Sequence, residues 1–253
     1  METKLILLDV QDNVGIVKLN HGVTNAIHLD LVHALLETLQ KARSEFRLRG
    51  LVFASANEKF FSIGFNLPEL IELPEKDLKT FYTSFNRMCL ELFTFPRPTL
   101  AAISGHAIAG GCILTLCCDY RLIAEGRKLM GLNEIKLGLP VPYVADCVLR
   151  NLVGFRHARG IMDSGDFYPP EVSLQMGLVD GVLPPEELLP QSIEKVKLLG
   201  SYPENAFATI KANRVESIEK EIRANLEDRE QRFLSSWFSS ASQELLREAT
   251  ANF

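Results

Sequence analysis

The chain has 253 residues, of which 47% are hydrophobic and 23% are charged, as in an ordinary globular protein with one substantial core. Its 27 basic and 32 acidic residues give a net charge of -5, which argues against a general binder of nucleic acid or anionic membranes but permits an anionic substrate. No apolar run is long enough to cross a bilayer, and no signal or transit pattern precedes the first predicted strand, so the sequence predicts a cytoplasmic location.

The first half of the sequence predicts strands that alternate with helices. Two apolar runs at 5–10 and 14–19 flank Gln11-Asp12-Asn13 and predict a β-hairpin. Apolar residues then recur at helical spacing from Leu31 to Phe46, which predicts an amphipathic helix. Further strands are predicted at 50–55 and 99–103, with a turn at 62–67 and a helix at 77–93. This alternation predicts an α/β fold.

The second half of the sequence is dominated by helical patterns. The elements predicted before residue 184 are helices at 144–152, 156–162 and 170–176 and a strand at 178–183. From Tyr202 onward the chain is charged and helical in period, with an apolar cluster of Phe233, Leu234, Trp237 and Phe238. We therefore expect a core domain at 1–200 and a helical segment at 201–253.

Two glycine-containing segments each follow an apolar strand-like run and lead into a helix-like run. They are residues 60–67, which include Gly64, and residues 103–113, which include the pair Gly110-Gly111. Glycine lets the backbone approach a ligand, and the first N–H groups of a helix are unpaired and attract negative charge. Two such turns, each offering one N–H, can form an oxyanion hole for a carbonyl substrate. The alternative is that each glycine only permits a tight turn.

The cysteines and histidines do not indicate a metal centre. The five cysteines form no Cys-x-x-Cys pair and no array with histidine at zinc spacing, so we expect them to be reduced and mostly buried. The five histidines have no spaced carboxylate partner that indicates a metal site or a catalytic triad. A Gly-x-Ser-x-Gly nucleophile elbow is also absent, which disfavours a serine hydrolase.

Several motifs follow one another along nearly the whole chain. Their order is Leu19-Asn20, Asn25-Ala26-Ile27, the segment 61–67, the segment 98–112, Cys118-Asp119-Tyr120-Arg121, Gly131-Leu132-Asn133-Glu134 and the segment 174–180. In order and spacing this set resembles the enoyl-CoA hydratase/isomerase (crotonase) family. Within that family, the segments 109–112, 118–121 and 131–134 are most similar to the mitochondrial-type Δ3,Δ2-enoyl-CoA isomerases.

The resemblance implies a fold, an assembly and a substrate. The implied fold is an α/β spiral of ββα units with a C-terminal helical segment, and in the family that segment serves for trimerisation. We therefore expect a homotrimer or a dimer of trimers. The alternative is a helix pair folded on its own core, because periodicity does not separate burial within a chain from burial between chains. The implied ligand is an acyl-CoA thioester, with no metal or redox cofactor.

The resemblance also assigns roles to individual residues. The backbone N–H groups of Phe65 and Gly110 correspond to an oxyanion hole, which holds the enolate formed when a proton leaves the carbon beside the thioester. Glu134 corresponds to a catalytic glutamate, and its apolar neighbours Leu132 and Ile135 would desolvate it and raise its pKa. Without that correspondence Glu134 would be interpreted as a turn or capping carboxylate. Contacts to substrate or CoA are expected from Asn25, Ala26, Ile27, Ile63, Gly64, Asn66 and Leu67.

The residue type at position 113, an isoleucine here, bears on which of two reactions of the family the resemblance implies. Hydratases carry a second glutamate at this position, where it helps to hold the water that adds to the double bond, and isoleucine can neither donate nor accept a proton. Ile113 follows Gly110 by about one helical turn, so we expect its side chain near the acyl pocket. The segment 139–143 is expected to help enclose the acyl chain.

The resulting prediction is an acyl-CoA double-bond isomerase that converts 3-enoyl-CoA to 2-enoyl-CoA with one glutamate base. One alternative is an enoyl-CoA hydratase or another enolate-forming acyl-CoA enzyme. The other is a CoA-ester-binding protein without catalytic activity. Three further carboxylates, Glu69, Asp146 and Asp119, are interpreted as helix-start or structural charges.

Overall fold

The computed structural model describes residues 4–251, which form ten strands, nine α-helices and one short 3-10 helix. The strands are β1 (Ile6–Gln11), β2 (Val14–Leu19), β3 (Gly50–Ser55), β4 (Phe60–Ser62), β5 (Thr99–Ile103), β6 (His106–Ile108), β7 (Tyr120–Ala124), β8 (Met130–Gly131), β9 (Phe167–Tyr168) and β10 (Gly181–Leu183). The helices are α1 (Leu29–Ser44), α2 (Leu67–Leu70), α3 (Glu75–Phe93), α4 (Gly110–Leu116), the 3-10 helix Glu134–Leu137, α5 (Tyr143–Ser164), α6 (Pro170–Gln175), α7 (Pro185–Gly200), α8 (Glu204–Trp237) and α9 (Ser240–Thr250).

The strands form two sheets. The larger sheet has the order β1-β2-β3-β5-β7-β10, and all of its neighbours are parallel except β1 and β2. The smaller sheet has the order β4-β6-β8-β9, in which only β8 and β9 are antiparallel. The near-continuous apolar strands of the larger sheet suit a parallel sheet that is covered on both faces.

The chain alternates between the two sheets. After each of β3, β5 and β7 in the larger sheet it forms β4, β6 or β8 in the smaller sheet and then enters a helix. Repetition of this ββα unit produces the spiral that the family resemblance implies, so the predicted α/β fold class is confirmed. On one face of the larger sheet Val52 and Ala54 pack with Val196 of α7, whereas Leu51 and Phe53 point into the main core.

The predicted N-terminal hairpin is present. Strands β1 and β2 pair with Gln11 opposite Val14, and the two residues between them, Asp12 and Asn13, have φ values of 52° and 64°. Asp and Asn adopt this left-handed conformation more readily than most residues, and two such residues make the tight turn that matches the twist of a hairpin.

Several predicted helices are present with different limits. Helix α1 ends at Ser44, so Phe46 lies outside it and is 73% exposed rather than part of its buried face. The helices predicted at 144–152 and 156–162 lie within α5, which contains a kink at Gly154, where φ is 73°. Helix α7 has no counterpart in the sequence prediction, and its start at Pro185 follows the preference of proline for the first helical turn.

The C-terminal helices pack on their own chain. Helix α8 contacts α3, α5 and α7, and α9 contacts α2, α8 and the 3-10 helix. Three members of the predicted apolar cluster, Phe233, Leu234 and Trp237, are buried, whereas Phe238 is 39% exposed. These helices pack against the main core of the chain, and both the trimer and the helix pair folded on its own core stay predictions. Within residues 4–251 no helix combines the length and apolar character needed to cross a membrane.

Candidate active site

Three loops at the carboxyl ends of parallel strands converge on one region. The loop after β4 carries Phe65, the loop after β6 carries Gly110, and the segment after β8 carries Glu134. Because β4, β6 and β8 are adjacent and parallel, their carboxyl ends meet at the same edge of the smaller sheet. Ligands of α/β proteins commonly bind at such an edge. The fold thus brings together the three residues that the family resemblance singles out.

The turns that hold Phe65 and Gly110 are in direct contact. A Cβ atom placed on Gly64 would lie 2.9 Å from the backbone nitrogen of Gly110, and φ of Gly64 is +95°, so this position requires glycine on two counts. Ala109, just before helix α4, has φ 48° and ψ -120°. This conformation is unfavourable for a residue with a Cβ atom, and such strain clusters at functional sites.

The N–H groups of Phe65 and Gly110 are both available to a ligand. Neither donates a hydrogen bond to another residue in the described range, although their neighbours are paired. Ala109 donates to the Gly131 carbonyl, and Asn66 donates to the Ile27 carbonyl. Gly110 is the first residue of α4, so its free N–H also lies at the positive end of the helix. The two groups can therefore act as donors to an oxygen that gains negative charge.

Glu134 is a buried carboxylate without a hydrogen-bond partner on one oxygen. It is the first residue of the 3-10 helix and only 6% exposed, and its Oε2 makes no hydrogen bond within the described structure. Burial raises the pKa of Glu134 from 4.5 to about 7, against a smaller opposing effect of its own backbone N–H. A carboxylate with this pKa can take up and release a proton near neutral pH.

A cavity of about 440 Å³, here called the central cavity, contains both candidate donors and Glu134. Its wall is built from the three loops together with Phe167, Phe233 and Ala249. Most of the wall is apolar, and Glu134 is the only carboxylate among the described residues that line it. A concave, mostly apolar surface with a few polar groups is typical of a small-molecule site.

The residues predicted to contact CoA divide into two groups. Ile63 and Leu67 line the central cavity on either side of the donor residue Phe65, whereas Gly64 and Asn66 of the same loop do not line it. Asn25, Ala26 and Ile27 are buried and do not line the cavity either; their contact with CoA stays a prediction.

Asn25 and Ile27 support the loop that carries Phe65. The Asn25 side-chain amide donates to the Phe61 carbonyl at 3.0 Å, and the Asn25 carbonyl accepts from the Ser62 hydroxyl at 2.8 Å. The Ile27 N–H donates to the Gly64 carbonyl at 2.7 Å. These buried bonds fix the position of the loop after β4.

The other candidate carboxylates are engaged elsewhere. Glu69 is exposed and accepts from the Asn66 amide at 2.7 Å, and Asp146 pairs with Arg150 at 3.1 Å. Asp119 is buried and pairs with Lys211 at 2.8 Å and with Arg214. The structural roles predicted for these residues agree with these contacts.

Ile113 does not reach the wall of the central cavity in the way that its spacing from Gly110 predicts. Its side chain is buried in the main core and is not among the residues that line the cavity. The reason is that Gly110 faces the cavity with its backbone, while the rest of α4 is buried on every side. Among the described residues that line the cavity, Glu134 is the only one with a charged side chain.

Part of the cavity wall has no signal in the sequence. Phe167, Phe233 and Ala249 are far from the motifs and reach the site only through the tertiary fold. Asn133, which does belong to the motif at 131–134, also lines the cavity, and its buried Oδ1 has no hydrogen-bond partner in the described structure. Of the segment 139–143, Leu139 lines the cavity.

The five cysteines are all free and buried, as predicted. Within residues 4–251 no cluster of three or more His, Cys, Asp or Glu side chains has an arrangement that could hold a metal ion.

Curated relatives are similar to this chain over most of its length. It is 29% identical to human mitochondrial enoyl-CoA delta isomerase 1 over 209 residues. This aligned region covers 82% of this chain and 69% of the human protein. It is also 29% identical to the mouse protein of the same name over 188 residues, and this aligned region covers 73% of this chain and 65% of the mouse protein. The cytoplasmic location predicted from the sequence stays a prediction, since these relatives are mitochondrial.

Solved structures share the fold. The structure of human mitochondrial delta3-delta2-enoyl-CoA isomerase matches with a TM-score of 0.95 and 25% identity over 98% of both chains. An enoyl-CoA hydratase from Bacillus halodurans matches with a TM-score of 0.90 over 97% of this chain and all of that chain, and its 21% identity shows the common fold alone. The sequence model of the enoyl-CoA hydratase/isomerase family matches residues 9–253. This chain therefore belongs to the enoyl-CoA hydratase/isomerase family.

Proposed function

We propose that this protein is an acyl-CoA double-bond isomerase that converts 3-enoyl-CoA to 2-enoyl-CoA. One observation carries the proposal: a single cavity contains two free backbone N–H groups, from Phe65 and Gly110, and only one carboxylate, Glu134, among the described residues. Two donors suit a thioester oxygen, and one base suits the movement of one proton. The 29% identity to human enoyl-CoA delta isomerase 1 supports the same reaction.

The reaction proceeds in two proton transfers. The thioester oxygen accepts hydrogen bonds from the Phe65 and Gly110 N–H groups. Ionised Glu134 removes a proton from C2, and the electron pair of that C–H bond forms the enolate, whose charge the two N–H groups stabilise. Protonated Glu134 then gives the proton to C4, the C3–C4 double bond moves to C2–C3, and the thioester carbonyl is restored. No atom is gained or lost.

The apolar cavity wall favours isomerisation over hydration. Addition of water requires a group that holds and activates the water molecule beside the base. The position at which hydratases of the family carry a second glutamate is occupied here by the buried Ile113, and no other carboxylate lines the cavity within residues 4–251. An apolar wall also limits the access of water to the enolate.

The loop after β4 also orients the substrate in this proposal. Because Ile63 and Leu67 line the cavity beside Phe65, we propose that the CoA portion extends along the segment 63–67, which Asn25 and Ile27 hold in place. The acyl portion then occupies the apolar part of the cavity beyond Glu134.

Product analysis tests the proposal. The purified chain is incubated with cis-3-octenoyl-CoA and, separately, with trans-2-octenoyl-CoA, and products are separated by chromatography with mass detection. We expect 2-octenoyl-CoA from the first substrate and little 3-hydroxyoctanoyl-CoA from either. If 3-hydroxyoctanoyl-CoA were the main product of the second reaction, the protein would be a hydratase. Binding of either thioester without turnover would indicate a CoA-ester-binding protein.

A further inference from the structure

A second cavity lies beside the central cavity. It has a volume of about 430 Å³ and is here called the side cavity. Phe233 lines both cavities, and the chain passes from one to the other between Leu139, which lines the central cavity, and Pro140, which lines the side cavity. Phe233 thus lies between the two spaces.

The position of Phe233 is fixed by stacking. Its ring lies parallel to that of Tyr82 on helix α3, with centroids 3.8 Å apart and an angle of 7° between the planes. Trp237, one turn further along α8, packs against Phe233 with a centroid distance of 6.1 Å. All three rings are buried, so the wall does not depend on a mobile surface side chain.

The two cavities differ in chemistry. The wall of the central cavity is mostly apolar, whereas the side cavity is lined by charged residues that include Arg150, Arg229 and Glu221. The buried Nε atom of Arg229 has no hydrogen-bond partner in the described structure. Entry of an acyl terminus into such surroundings would desolvate charged groups without replacing their contacts, which is unfavourable.

We infer that Phe233, held against Tyr82, closes the central cavity and sets the longest acyl chain that the site accepts. This inference rests on the proposed function, since it assigns the central cavity to the acyl group. Shortening the side chain at 233 vacates the volume of the aromatic ring at the end of the central cavity, and a longer acyl chain can occupy this volume without reaching the charged residues of the side cavity. Phe233 is therefore a specificity-determining residue contributed by the C-terminal helices.

The test uses binding as well as turnover. Affinities of saturated acyl-CoA thioesters from butanoyl-CoA to hexadecanoyl-CoA are measured by calorimetry for the unchanged chain and for Phe233→Leu and Phe233→Ala. The rate of isomerisation is measured with the corresponding 3-enoyl thioesters. Phe238→Leu is the matched control, because Phe238 follows the same helix, is partly exposed and lines neither cavity.

We expect both Phe233 variants to shift the preferred length toward longer chains. The affinity of the first chain that the unchanged protein rejects should rise about tenfold relative to octanoyl-CoA, while Phe238→Leu keeps the original profile. Phe233→Leu retains a large apolar side chain and keeps the test valid if Phe233→Ala does not fold. An unchanged length profile in a folded Phe233→Leu variant would overturn the inference. Failure of the unchanged chain to bind any acyl-CoA would overturn the proposed function and this inference with it.

Discussion

The ring of Phe65 lies directly over Gly110. A Cβ atom at position 110 would be 3.1 Å from Cδ1 of that ring, which is closer than ordinary van der Waals contact. The ring is held edge-on against Phe81 and Phe85 of helix α3, with centroid distances of 4.9 and 4.8 Å. The two proposed oxyanion donors are therefore positioned by one packed unit rather than by two independent loops.

This packing allows the N–H of Gly110 to be tested apart from its surroundings. Gly110→Pro replaces the N–H with a ring that adds Cβ, Cγ and Cδ, whereas Gly110→Ala keeps the N–H and adds only a Cβ against Phe65. We expect Gly110→Pro to lower kcat for isomerisation about 10²- to 10³-fold relative to Gly110→Ala, because one charge-stabilising donor is lost. Both variants are first examined by circular dichroism, since proline at 110 also restricts Ala109. Equal rates in the two folded variants would place the oxyanion site elsewhere.

The raised pKa of Glu134 predicts the pH dependence of the reaction. The base must be ionised to remove a proton, so kcat/KM for 3-enoyl-CoA should rise with pH and level off above a midpoint near 7, the pKa to which burial raises Glu134. The measurement is a pH–rate profile of the unchanged chain at low substrate concentration. A flat profile between pH 5 and 8 would mean that the reaction does not depend on this ionisation.

The same shift predicts an effect on stability. Between pH 4.5 and about 7 the unfolded chain has lost the Glu134 proton while the folded chain still binds it, so stability falls as the pH rises through this interval and is constant above it. Each pH unit changes the free energy by about 1.4 kcal/mol, which gives about 3 kcal/mol in all. The free energy of unfolding, measured with urea at several pH values, should show this loss in the unchanged chain but not in Glu134→Gln. Parallel stability curves for the two proteins would contradict the shifted pKa.

An ion pair anchors the C-terminal helices to the core. Lys211 on α8 and Asp119 at the start of the β7 segment are 2% and 3% exposed and 2.8 Å apart, and Thr99 also donates to Asp119. Lys211→Met leaves a buried carboxylate with fewer partners, so we expect it to lower the free energy of unfolding by about 3 kcal/mol. Arg214→Met is the control: Arg214 binds the same carboxylate but is 48% exposed, and its loss should cost about 1 kcal/mol or less.

Denaturant unfolding of both variants, followed by far-ultraviolet circular dichroism, makes this comparison. Equal destabilisation by the two changes would show that burial of the Lys211–Asp119 pair has no special effect. Loss of activity in Lys211→Met at full stability would instead assign this pair a role in the site.

The sequence predicts the larger sheet better than the smaller one. Strands β2, β3 and β5 are mostly apolar runs of five or six residues and could be located, whereas β4 and β6 have three residues each and lie inside the glycine segments. Such short strands have no periodicity of their own and exist because their neighbours pair with them. Their parallel pairing is nevertheless what brings Phe65, Gly110 and Glu134 together.

Only part of the cavity wall could be predicted from sequence motifs. Gly110 and Glu134 could be identified because their motifs are local, but Phe233 lies about a hundred residues further along, in a helix whose apolar residues predict burial without naming a partner. Ile113 shows the converse case: it follows Gly110 by about one helical turn in the sequence, yet its side chain is buried in the main core and does not line the cavity. Both outcomes depend on tertiary packing rather than on local sequence.

In the proposed reaction one carboxylate, Glu134, moves the proton. The most direct test is the Glu134→Gln variant, which keeps the size of the side chain and removes the base. Its kcat with cis-3-octenoyl-CoA and its affinity for octanoyl-CoA are measured on one preparation beside the unchanged chain. We expect kcat to fall by about 10²-fold or more while the affinity stays within a factor of about three. Turnover near the original rate, with affinity retained, would contradict it.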